Sequence, residues 1–97
     1  MIRHVVCFRW VEGTSAAQVA AVEAALAALP GQIPELLDYR FGPDLGLRDG
    51  NGDFAVVADL ADAAAWRTYV EHPAHVRVLT ERIQPILAER VAVQLQL

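Results

Sequence analysis

The chain has 97 residues, enough for one domain (1–97), with a formal net charge of -4 and 55% hydrophobic content. Its eight basic residues are all arginine and lie scattered from Arg3 to Arg90 without forming a stripe, which argues against nucleic-acid binding. One cysteine, Cys7, excludes an intrachain disulfide and fits a reducing compartment, and no run approaches the roughly 18 apolar residues of a membrane helix.

Ile2 to Val11 reads as a strand rich in β-branched and aromatic residues, closed by Gly13. This opening run is short, and Arg9 interrupts it, so it does not read as a secretory signal; a cytoplasmic protein is expected. One strand face carries Ile2, His4, Val6, Phe8 and Trp10, the other Arg3, Val5, Cys7, Arg9 and Val11. Both are apolar in the middle, so both are expected to be covered. The mean hydropathy of +0.28 is high for so short a chain. The excess apolar surface points to a homodimer or a ligand cavity. Cys7 is expected to be a buried, inert thiol.

Ser15-Ala16-Ala17-Gln18 fits a capping box for an alanine-rich helix running to about Leu29. Val19, Val22, Leu26 and Leu29 form its buried stripe, and Pro30-Gly31 stops it. Leu36 to Phe41 is a second strand, Asp44 to Gly52 a polar loop, and Phe54 to Leu60 a third strand. Asp62 caps a second helix through Trp66 and Tyr69. His72 precedes Pro73 and so leaves the helical region, while Pro73 suits the first position of a new helix. That helix runs towards Leu87, with Pro85 expected to kink or shorten it. Glu89 to Leu97 is the last strand. The order is that of an α+β, ferredoxin-like βαββαβ protomer with a four-stranded antiparallel sheet.

Groups able to move protons cluster only in Tyr69-Val70-Glu71-His72-Pro73-Ala74-His75. With Pro73 as the first helical residue, His75 lies in the first turn, where the helix dipole disfavours the imidazolium. A neutral imidazole near its ordinary pKa is a good general base at pH 7. The plainer reading is a ring that caps a turn or packs at a dimer rim. Tyr69 is either a donor that polarises a carbonyl oxygen or a core ring whose hydroxyl finds a backbone acceptor. His4, on an apolar strand face, is either a satisfied core residue or a pocket partner of His75.

No cofactor is implied. His72 and His75 lack the i, i+4 spacing of a helical metal pair. Asp49-x-Asn51-x-Asp53 fails as a calcium loop, with Phe54 where glycine is required and Leu60 where the bidentate glutamate is required. There is no glycine-rich phosphate loop.

Three segments together carry a family resemblance: Met1-Ile2-Arg3-His4-Val5-Val6, Ala28-Leu29-Pro30-Gly31-Gln32-Ile33-Pro34, and the Tyr69-to-His75 block. Over nearly its whole length the chain resembles the stress-responsive dimeric α/β-barrel (Dabb) family. The resemblance implies protomers that pair sheet to sheet as a dimeric α+β barrel, each with a pocket between its sheet and its helices. One branch, the plant polyketide cyclases, performs aldol condensation without metal or cofactor. In that branch a histidine at the position of His75 is the base, a tyrosine at Tyr69 orients the substrate, and the histidine at His4 lines the pocket. The branch has another tyrosine where this chain has Leu26 and another histidine where it has Phe54, so this pocket is expected to be less polar.

The expected function is cofactor-free acid–base catalysis, of polyketide-cyclase or aldol/enolisation type, on a small hydrophobic or aromatic ketone- or phenol-like ligand. His75, Tyr69 and His4 are its expected catalytic residues. Val6, Phe8, Leu26, Leu29, Phe54, Trp66 and His72 are the expected substrate-binding residues. The alternatives are a non-catalytic ligand-binding or stress-associated barrel and a structural dimer with a filled interior.

Overall fold

The computed structural model describes every residue, Met1–Leu97. Strand β1 (Ile2–Trp10) leads through helix α1 (Ala16–Ala27) to β2 (Asp38–Pro43) and β3 (Phe54–Leu60). Helices α2 (Ala63–Glu71) and α3 (Pro73–Val78) follow, then β4 (Leu87–Gln96). The sheet order is β2-β3-β1-β4, and every pairing is antiparallel.

The capping box forms as its residue types dictate. Ser15 Oγ accepts from Gln18 N at 3.1 Å, and Gln18 Oε1 accepts from Ser15 N at 2.9 Å. Helix α1 ends at Ala27, and Leu29–Gly31 continues as a 3₁₀ turn in which Pro30 needs no donor. Val22, Leu26 and Leu29 are buried, as the stripe requires, with Val19 half-buried. Asp62 Oδ1 accepts from Ala65 N at 2.8 Å, capping α2. Strand β2 begins two residues later than its apolar pattern suggests, because Leu36 and Leu37 belong to the turn that brings Leu37 N onto Asp59 O.

After α3 the chain does not continue as a regular helix. Leu79–Ile83 is π-helical and Gln84–Ile86 is a 3₁₀ turn holding Pro85. Pro85 has no N–H to donate, so the helix ends early, and β4 starts at Leu87.

All three helices cover one face of the sheet. On it lie His4, Val6, Phe8, Phe54, Val56, Ala58 and Leu60, each 5% exposed or less. The opposite face carries Val5 paired with Val93 and Cys7 paired with Val91, and nothing in the protomer covers it. Val91, Val93 and Leu95 are exposed there, and so is Cys7, against the expectation of a buried thiol. Arg3 and Asp59 form a bidentate pair on this face, at 2.8 and 2.9 Å. No helix is long and apolar enough to cross a membrane.

Candidate active site

A cavity of about 120 Å³ lies between the sheet and the helices. From the sheet it is lined by His4, Val6 and Phe8 of β1, Tyr39 of β2, Val56 of β3 and Arg90 of β4. Leu26 of α1, Tyr69 and Val70 of α2, His75 of α3, and Leu79 and Ile83 of the π-helical stretch complete it. The expected trio of His4, Tyr69 and His75 therefore meets on one space. Of the expected apolar wall, Val6, Phe8 and Leu26 line it.

Four expected wall residues do not. Leu29 is sealed in the core at 1% exposure, filling the space under the end of α1. Phe54 is also core, tilted against Trp10 with ring centroids 5.7 Å apart. His72 turns its ring back on its own chain, where Nδ1 accepts from Ala74 N at 3.1 Å and caps α3. Trp66 stands behind His4 and acts through it.

His4 is held from two sides. Trp66 Nε1 donates to its Nδ1 at 3.2 Å, and Gln94 Nε2 lies 2.9 Å from the same atom. An indole nitrogen only donates, so His4 Nδ1 carries no proton and the neutral ring carries it on Nε2. Burial first, then the charge of Arg90 and the proximity of His75, push its pKa down to about 4. At neutral pH His4 is an uncharged donor.

His75 has the opposite arrangement. Its Nδ1 lies 3.1 Å from Val70 O. A carbonyl only accepts, so Nδ1 donates and the lone pair sits on Nε2. The kink at His72-Pro73 makes this bond possible, since it folds α3 back so that His75 meets the last turn of α2. Its pKa is also lowered, by burial first, partly opposed by the Val70 bond, with Arg90 and His72 adding to the lowering. Burial, rather than the dipole of the six-residue α3, is the main reason the ring stays neutral.

Neither Nε2 atom hydrogen-bonds inside the protein, yet no side-chain nitrogen or oxygen is sealed off without a partner. Each Nε2 atom therefore keeps accessible surface, on a ring that lines the cavity. Tyr69 packs its ring on His75 with centroids 4.4 Å apart and shares a 3.1 Å hydrogen bond with the Tyr39 hydroxyl. One of these hydroxyls donates to the other, which leaves one proton free for a guest. Burial holds both phenols neutral by raising their pKa values.

Tyr39, Gln94 and Arg90 are site residues that the linear sequence did not single out. Tyr39 sits in a strand with no other chemical signal. The last-strand alternation does contain a signal for the other two: Arg90, Ala92 and Gln94 share its inward face, opposite Phe8, Val6 and His4.

Fold and cavity define a ferredoxin-like α+β protomer with a pocket between sheet and helices. The chain belongs to the stress responsive A/B barrel domain family, whose model matches residues 2–96. It is 38% identical over 78 residues to an uncharacterized protein of Streptomyces coelicolor, covering 77% of this chain and 79% of that one. Among solved structures, a dimeric ferredoxin-like protein of unknown function from Thermobifida fusca is 52% identical. It superposes with a TM-score of 0.92 over 99% of this chain and 90% of its own. A hydroxynitrile lyase from Passiflora edulis shares the fold at 21% identity, with a TM-score of 0.83 over 97% of this chain and 90% of its own.

Proposed function

We propose that the cavity is the active site of a cofactor-independent enzyme that moves a proton next to the carbonyl of a small, largely apolar molecule. The observation that carries this reading is the opposed pair of imidazoles, a bare Nε2 on His75 and an Nε2–H on His4, on two rings that line one apolar space. His75 takes the proton from the α-carbon. The C–H electron pair becomes the new C=C bond, and the carbonyl π pair moves onto oxygen. His4 Nε2–H, with the free hydroxyl proton of the Tyr39–Tyr69 pair, donates to that oxygen as its charge grows. Return of the proton to carbon, or attack of the enolate carbon on a second carbonyl, completes an enolisation or an aldol reaction. The likeness to the Passiflora lyase contributes only the fold to this reading.

A second copy belongs to the same proposal. The uncovered sheet face centred on Val5 and Val93 is the surface through which two protomers pair, which the description of the Thermobifida relative as dimeric supports.

The cavity's volume sets the substrate's size. An apolar cavity of about 150 Å³ accepts benzene, so about 120 Å³ takes at most one ring, with any substituent left at the open rim, or a short branched chain, and no fused polyketide. The test is deuterium incorporation at the methyl group of acetophenone in D₂O. The protein accelerates exchange, and His75→Asn, checked for native circular dichroism, loses 10²–10⁴-fold of that acceleration. Binding of acetophenone without accelerated exchange would make the protein a ligand carrier instead.

A further inference from the structure

We infer that Arg90 is the anion-recognising group of this cavity, and that the ligand is a compact aryl or branched aliphatic monocarboxylate whose carboxylate rests at the rim. The inference rests on the pocket reading above and supplies its ligand class.

Twelve acidic residues outnumber eight basic ones in the chain, yet no Asp or Glu lines the cavity. Its polar lining consists of two neutral imidazoles, two neutral phenols and the Arg90 guanidinium, so its only formal charge is positive. Arg90 is one of five arginines that form no ion pair, and of the eight it is the one that lines the cavity. It projects from edge strand β4 directly opposite Phe8, on the sheet face that bounds the cavity. It is solvent-exposed and lines the cavity at once, which sets it at the rim.

A lone cation beside two imidazoles makes them harder to protonate, and Arg90 lowers the pKa of both His4 and His75. That cation costs nothing at an open rim, where water solvates it, and it is free to take a carboxylate in a bidentate fork. With a ring filling the apolar space against Val6, Phe8 and Leu26, a carboxylate on that ring has only the rim to occupy.

The test compares benzoate with benzamide, which has the same shape and no charge, by isothermal titration calorimetry at pH 7, with acetophenone as a neutral reference. The wild-type protein is expected to bind benzoate at least tenfold tighter than benzamide. Arg90→Gln collapses that ratio to below twofold, and Arg90→Lys restores part of it. Equal affinity of the two compounds for the wild-type protein, or an unchanged ratio in Arg90→Gln, overturns the role of Arg90. If acetophenone still binds in that case, the pocket reading survives. If none of the three compounds binds at millimolar concentration, both fall together.

Discussion

His4 and His75 present opposite faces of the same chemistry to one cavity. The Nδ1 of His4 accepts from Trp66, and the Nδ1 of His75 donates to Val70 O, so one Nε2 carries a proton and the other a lone pair. The two tautomers are set by partners within the protein, before any ligand enters. A site that needs both a base and a donor thus has them fixed in advance, which is what electrostatic preorganisation requires.

The partners of His4 supply the first prediction. Replacing Trp66 with Phe and Gln94 with Leu removes both donors to Nδ1. The double variant should lose about 1–2 kcal/mol of stability in urea unfolding, the cost of leaving a buried acceptor unpaired. Its His4 should also titrate closer to the ordinary value, because protonating Nδ1 no longer faces two donors. An unaltered His4 titration by NMR would show that these partners do not set its proton state.

Stability should depend on pH in a defined direction. His4 has a pKa of about 4 in the folded chain against an ordinary 6.5. Between those values the unfolded chain binds a proton that the folded chain does not, so stability falls as pH falls through that window. The loss is on the order of 2 kcal/mol, and the lowered pKa of His75 adds to it in the same direction. Asp59, held low mainly by its hydrogen bonds from Arg3, loses its contribution only below the ordinary carboxylate range. Urea unfolding at pH 7 and pH 5, at one protein concentration, measures the difference, and equal stability at the two values would contradict it.

The pH dependence of exchange follows from His75 alone. With its pKa below 6.5, the base is already deprotonated at pH 7. The rate should rise with pH in the acid range and be level from pH 7 upwards. A rate still rising above pH 8 would point to a different base.

The tyrosine pair is tested by Tyr69→Phe and Tyr39→Phe. Each removes the 3.1 Å hydroxyl contact and should cost about 1 kcal/mol of stability. Each leaves the surviving hydroxyl free to serve the substrate, so each single variant should keep part of the exchange activity and the double variant should lose more than the two single losses combined. Strictly additive losses would mean that the hydroxyls act separately.

Pairing of protomers is tested on the uncovered sheet face. Val93→Glu places a charge opposite Val5 in the middle of that face. Analytical ultracentrifugation should show a dimer for the wild-type chain and a monomer for the variant. A wild-type monomer would leave the apolar face unexplained.

Much of the fold was legible because each element carries its own local signal. Ser15 with Gln18, Asp62, and His72-Pro73 each fix a helix start within a few residues. The π-helical stretch was not legible, since Pro85 says that a helix must end and not how. His4, Tyr69 and His75 stood out because their chemistry is rare in an apolar chain. Tyr39, Gln94 and Arg90 did not, because their relevance comes from strand register. Gln94 matters only because it lies across from His4, and Arg90 because it lies across from Phe8. Phe54 and Leu29 misled for the reverse reason: an apolar residue on the inward face is core or cavity wall according to a gap that no local pattern encodes.

The proton assignment of the histidine rings is the most direct test. With only three histidines in the chain, ¹⁵N-resolved imidazole spectra at pH 7 assign every ring nitrogen. His4 should show a protonated Nε2 and a bare Nδ1, and His75 a protonated Nδ1 and a bare Nε2. Matching tautomers on the two rings, or a charged imidazolium at either, would contradict the account.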